Sequence, residues 1–219
     1  MKNLLFTLLT LLVLANVQAQ IFTDEGRYEL FGKDDPNLYK AVGSPYLNDE
    51  FLPGKIFFEG KPDLPVQLRF NIYAENFEIK VDKGKRDIYT VSDWENAIYE
   101  MDGKIFVSAE IHPNGRRIKG FFIEHFSGDQ YKLLEKPEIK VTPPVRSDSG
   151  YSEDQPAKIN KRSAFYIQKE TGETVEVKMK HKDIRKEFNS AAAKEYLADN
   201  KIREVEDLIA FLEYLDKNA

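Results

Sequence analysis

VQLRFNIYAENFEIKV, residues 66–81, decides how this chain folds. Val66, Leu68, Phe70 and Ile72 alternate with Gln67, Arg69, Asn71 and Tyr73, while Phe77, Ile79 and Val81 alternate with Glu78, Lys80 and Asp82. Period-2 alternation is the pattern of strands with one buried face. A two-residue turn at Ala74-Glu75 would set Tyr73 opposite Asn76, Ile72 opposite Phe77, Phe70 opposite Ile79 and Leu68 opposite Val81. Every apolar side chain then shares a face. A one-residue slip would send the second strand's apolar set to water, so the register is specified.

Working outward, Gly43-Ser44-Pro45 and Leu52-Pro53-Gly54 are turn chemistry that opens the domain, and residues 55–59 (KIFFE) form a short strand. Downstream of the hairpin, residues 82–85 form a polar turn and 88–91 a short strand. Residues 104–111 alternate, and His112-Pro113-Asn114-Gly115 breaks that run because proline lacks a ladder donor and Asn-Gly favours a tight turn. Residues 118–126 are apolar on both faces, as in a central strand, and residues 130–134 continue toward Val141. Seven or so short strands joined by tight turns describe an antiparallel meander: an open sheet, a sandwich or a partly closed barrel.

Residues 142–160 (TPPVRSDSGYSEDQPAKIN) are proline-rich and polar, with few apolar anchors to offset ordering entropy, and read as an extended linker. A second hairpin follows. A three-residue Glu170-Thr171-Gly172 loop sets Ile167 opposite Val175 and Phe165 opposite Val177, with Gly172 at the left-handed position. The last forty or so residues are helical: 181–188, then AAAKEYLA capped by Asn189 or Ser190, then 203–217 with Val205, Leu208, Ile209, Leu212 and Leu215 on one stripe. That stripe needs burial, against the second hairpin, the main sheet or a partner. The class is α+β: an antiparallel β domain at 43–141, a linker at 142–160, and a hairpin with C-terminal helices at 161–219, preceded by an unassigned segment at 20–42.

The N-terminus bounds where the protein works. Lys2, an apolar run over residues 4–15, and Val17 and Ala19 at the positions read by signal peptidase make residues 1–19 a secretory signal. The alternative, a membrane anchor, would need about 20 consecutive apolar residues. Loss of Lys2 takes the formal charge from −5 to −6. There is no cysteine, so stability must come from a core, and thiolate metal sites and thiol nucleophiles are excluded. The acidic balance argues against nucleic acid, and no later run is long enough to span a membrane.

No reactive constellation stands out. His112, His125 and His181 fall at no metal spacing, and Glu124 and His125 point to opposite faces of one strand. A hydrolase would need His112 or His125 grouped with carboxylates in a cleft. No GxSxG or phosphate-binding glycine loop occurs, and Asp148-Ser149-Gly150 lies in the linker. Residues 82–87 (DKGKRD) place cations where calcium ligands would stand, so neither a metal nor another cofactor is expected. The fifteen Phe and eleven Tyr exceed what one sheet face needs. They either fill the core or form a platform for a protein, lipid or sugar. Trp94, Phe121, Phe122, Leu208 and Leu212 are the candidate interaction residues.

Gly43-Ser44-Pro45-Tyr46-Leu47-Asn48, Pro53-Gly54-Lys55-Ile56, LRFNIYAENFEIK, Pro156-Ala157-Lys158, Phe165-Tyr166-Ile167 and EDLIAFLEYLD together resemble a family of exported envelope proteins from Bacteroidota. The resemblance spans most of residues 43–216. It implies an envelope location and a β region followed by a Pro-rich connector, a hairpin and helices, and it carries no catalytic motif and no binding residues. The expectation is a non-enzymatic exported module that binds another protein, such as an outer-membrane or secretion-system component. It would work in the periplasm, at the outer-membrane periphery or outside the cell. The alternative is a binder of small apolar ligands or lipid in an aromatic-lined β cup.

Overall fold

Alternating segments pair in antiparallel fashion between Leu52 and Val177. The computed structural model describes residues 41–81, 87–91, 97–145 and 155–218. Residues 1–40, which include the stretch read as a secretory signal, the polar turn after Val81, Trp94 and the centre of the Pro-rich stretch lie outside the described residues. Ten strands form one open sheet: β1 (Leu52–Phe58), β2 (Leu64–Asn71), β3 (Asn76–Lys80), β4 (Tyr89–Val91), β5 (Ala97–Met101), β6 (Lys104–Ile111), β7 (Ile118–Ser127), β8 (Tyr131–Thr142), β9 (Lys158–Lys169) and β10 (Thr174–Val177). Their order is β10-β9-β8-β7-β6-β5-β1-β2-β3-β4. Helices α1 (His181–Glu187), α2 (Ala191–Asp199) and α3 (Val205–Lys217) follow, giving an α+β fold.

The first hairpin corrects the expected register by two residues. Phe70 lies opposite Phe77, Leu68 opposite Ile79 and Asn71 opposite Asn76. The turn takes four residues, 72–75, and the side chain of Asn71 braces it from within. Asn71 Oδ1 accepts from the Ala74 amide at 3.0 Å, and the Ile72 amide donates to the Pro45 carbonyl at 2.8 Å. A shift of two leaves every side chain on its face.

That apolar face makes the sheet curl. Strands β3 and β7 are five apart in hydrogen-bond order, about 24 Å in a flat sheet, yet the Phe77 and Phe121 rings are 5.2 Å apart. Phe77 stacks on Tyr99 at 4.3 Å and meets Phe106 edge-on at 5.1 Å, and Phe70 reaches Phe106 at 5.5 Å. Residues 42–47 stitch the roll. Val42 exchanges hydrogen bonds with Ala157 and Ile159 at 2.8 Å, and the Leu47 amide donates to the Phe70 carbonyl at 2.9 Å. Arg69 lies over the rings of Tyr46 and Phe51 at 3.8 and 4.5 Å and pairs with the buried Glu78 carboxylate at 2.5 Å. Burial and the Glu78 charge push the Tyr46 hydroxyl up to about 12.

Strands β7 and β8 pair only from Ile123–Glu135 to Ser127–Lys132, and beyond Glu135 the ladder of β8 is with β9. The fork is plugged by the first hairpin's turn: Glu75 Oε2 sits 3.0 Å from Lys136 Nζ on β8. Gly120 on β7 makes this possible, since a Cβ there would lie 2.6 Å from the same oxygen, and its φ of +147° suits glycine alone.

The second hairpin has the expected register, Ile167 opposite Val175 and Phe165 opposite Val177. Its first strand begins at Lys158, inside the stretch read as linker, and pairs with β8 through to Thr142. The three helices cover β8 to β10 through Leu133, Ile167, Val177, Ile184, Phe188, Leu197, Leu208, Phe211, Leu212 and Leu215. Ser190 caps α2 by accepting from the Ala193 amide at 3.2 Å. Asp216, near the end of α3, accepts from the Asp129 and Gln130 amides at 2.7 and 3.0 Å and so clamps the helix to the β7–β8 turn. A carboxylate opposes the helix dipole there, so its place is set by the turn it holds.

Replacing Phe77 by Ala should remove about 3–5 kcal/mol of stability, read by urea denaturation. Ile98→Ala, at a side chain 43% exposed, should cost under about 0.5 kcal/mol. Comparable losses would show that the aromatic cluster does not hold the curl.

Candidate functional site: a polar seam and an open strand edge

Two apolar cores share one face of the sheet, and a polar seam runs between them. Phe121 and Ile123 belong to the curled core, while Phe126 and Leu133 belong to the helix-covered one. They can share a face because the pairing of β7 with β8 is irregular between Glu124 and Phe126. His125 is the extra residue of this β-bulge, which resets the alternation. Its Nε2–H donates to Glu135 Oε2 at 2.6 Å, and Ser163 Oγ–H donates to the other oxygen of the same carboxylate. His125 and Glu135 side chains are 19% and 14% exposed.

Burial alone would raise the Glu135 carboxyl above its ordinary range. The hydrogen bonds from His125 and Ser163, with the charges of His125 and Lys104, outweigh that and hold it below. The order of the three groups decides their chemistry. Activation of a serine requires the imidazole to take its proton, whereas here the serine hydroxyl donates to the carboxylate and the imidazole is on the carboxylate's far side. The arrangement ties β7, β8 and β9 together at the seam.

The seam ends at a groove of about 400 Å³ where β10 stops. Arg162, Ala164 and Tyr166 line it from one face of β9, and Ser163 and Phe165 from the other, as an opening at a strand's edge allows. Arg162 pairs with Glu138 at 2.8 Å, and Arg116 approaches Glu176 at 3.6 Å. Lys178 completes the charged lining.

Of the residues singled out from sequence, Phe121, Phe122, Leu208 and Leu212 are 2%, 0%, 0% and 0% exposed, so their side chains form cores and offer no free surface. Trp94 lies outside the described residues. Phe70, Phe77, Tyr99 and Phe106, part of the aromatic surplus, are likewise at most 2% exposed and lie ring against ring. The histidines stay separate. His112 lies 3.4 Å from Glu110 on the surface, and His181 Nδ1 accepts from the Ile202 amide at 3.4 Å. Sequence reasoning missed Glu135 and Ser163, whose meeting with His125 needs the pairing of three strands and the bulge. It also missed β5, although Asp102-Gly103, both at positive φ between Met101 and Lys104, is a hairpin signal.

A carboxyl lowered in the folded state contributes stability that is complete above its unfolded pKa and lost as the pH falls through the lowered one. Glu135→Gln should therefore cost about 1–3 kcal/mol at neutral pH, and the difference from wild type should shrink as the pH drops below the ordinary glutamate range. Urea denaturation across pH checks this, and a difference independent of pH would refute it.

Comparison with protein-family models, with curated proteins and with solved structures gave no match, so the reading of this site rests on its geometry.

Proposed function

We propose that this protein is a non-enzymatic, exported accessory module of the cell envelope whose work is to bind another protein, such as an outer-membrane or secretion-system component. The observation that carries the reading is the charged groove at β9, a recess beside the stretch of its outer edge that no described strand covers, lined from both faces of the sheet. Export is supported by the leader-like residues 1–19. Among the described residues no helix is long and apolar enough to cross a membrane. A non-catalytic role is supported by the serine–carboxylate–imidazole order, which leaves Ser163 without a base of the kind acyl transfer needs.

Site-specific photo-cross-linking in intact cells tests this. A photoreactive residue at Arg162 should give one stoichiometric adduct, whereas the same residue at Glu195, exposed on α2, should give none. Free monomer alone from both positions would overturn the proposal.

A further inference from the structure

We infer that the groove takes an extended peptide segment of the partner, alternating acidic and apolar residues, which adds to the open edge of β9 at Lys161 and Ser163. This deepens the binding role proposed above and rests on it.

The inference follows from which backbone groups of β9 turn outward. Val42 N donates to Ala157 O, Ile159 N to Val42 O, and Lys169 N to Glu173 O, each at 2.8 Å. Odd-numbered residues of the strand therefore present their amides and carbonyls away from β8. The outer edge is covered by Val42 at one end, and by β10 from Phe165 to Gln168 at the other. Between them Lys161 and Ser163 carry outward N–H and C=O groups for which the described residues supply no ladder partner. Such an unpaired stretch is a template for strand addition, where backbone bonds give affinity and alternate side chains give specificity.

Side-chain chemistry around the gap selects the occupant. On the face of Arg162, the two glutamates of the groove are already taken by arginines, leaving Lys178. Just along the strand, Lys158 on the face of Arg162 and Lys161 on the other have no carboxylate partner among the described residues, and Lys161 Nζ donates only to the Leu47 carbonyl at 3.1 Å. This field favours carboxylates. On the opposite face the groove is walled by Phe165, Val177 and Met179, which favours apolar side chains at the alternate positions. A second copy of this chain fits poorly, because antiparallel pairing about Arg162 sets like charges directly opposite.

The test uses the full chain and a short synthetic peptide alternating glutamate and valine, with a lysine-valine peptide and a proline-substituted glutamate-valine peptide as comparisons. Binding is followed by fluorescence anisotropy and by amide hydrogen exchange. The glutamate-valine peptide should slow exchange at the Lys161 and Ser163 amides, and the other two should not. Lys161→Glu with Arg162→Glu, both exposed, should weaken binding about tenfold or more, and Glu195→Lys should leave it unchanged. If the double variant fails to fold, Lys178→Glu carries the same expectation. Protection elsewhere, equal binding of the lysine peptide, or protection that rises with protein concentration without peptide would each overturn the inference, the last in favour of self-pairing. An in-cell adduct at Arg162 without peptide-dependent protection would sink strand addition and leave the binding role standing.

Discussion

The contact of Phe77 with Tyr99, Phe106 and Phe121 is the constraint on which the rest of the structure depends. Strands distant in hydrogen-bond order can bring their faces together only if the sheet bends. Rings that stack and meet edge-on bury large apolar areas and favour defined angles between them. Without disulfides, nothing covalent holds that bend. The curl then dictates the rest: β7 and β8 part at Glu135, the turn at residues 72–75 fills the fork, and helices are needed only where the sheet runs on beyond the roll.

Polar groups stand where the apolar architecture is interrupted. Lys136, only 6% exposed, meets Glu75 in the fork, and His125, Glu135 and Ser163 occupy the line between two cores. In each case a buried or partly buried charge has a partner on another element, as desolvation demands. These pairs join separate strands as well as satisfying each other.

Local periodicity made the elements legible. The alternation of residues 104–111, the three-residue loop at Glu170-Thr171-Gly172 and the stripe on α3 all translate directly into observed structure. The register of the first hairpin did not, because a shift of two keeps every side chain on its face, and the wider turn is braced by Asn71 Oδ1 on the Ala74 amide, which apolar alternation does not encode. The candidate site was least legible of all. Its polar seam depends on a bulge that reverses side-chain parity at His125, and its groove depends on β10 being shorter than β9. Phe121, Phe122, Leu208 and Leu212 stood out as large and apolar, and those properties also make a side chain core material.

Residues 42–47 join the start of the described chain to a late strand. Val42, near the beginning of the described chain, has its backbone partners at Ala157 and Ile159, after eight of the ten strands have been made. Pairing between segments so distant in sequence is entropically slow to form. The early strands can therefore pair with one another before that contact forms, and a chain truncated ahead of β9 would lack the backbone partners that close the roll at Val42.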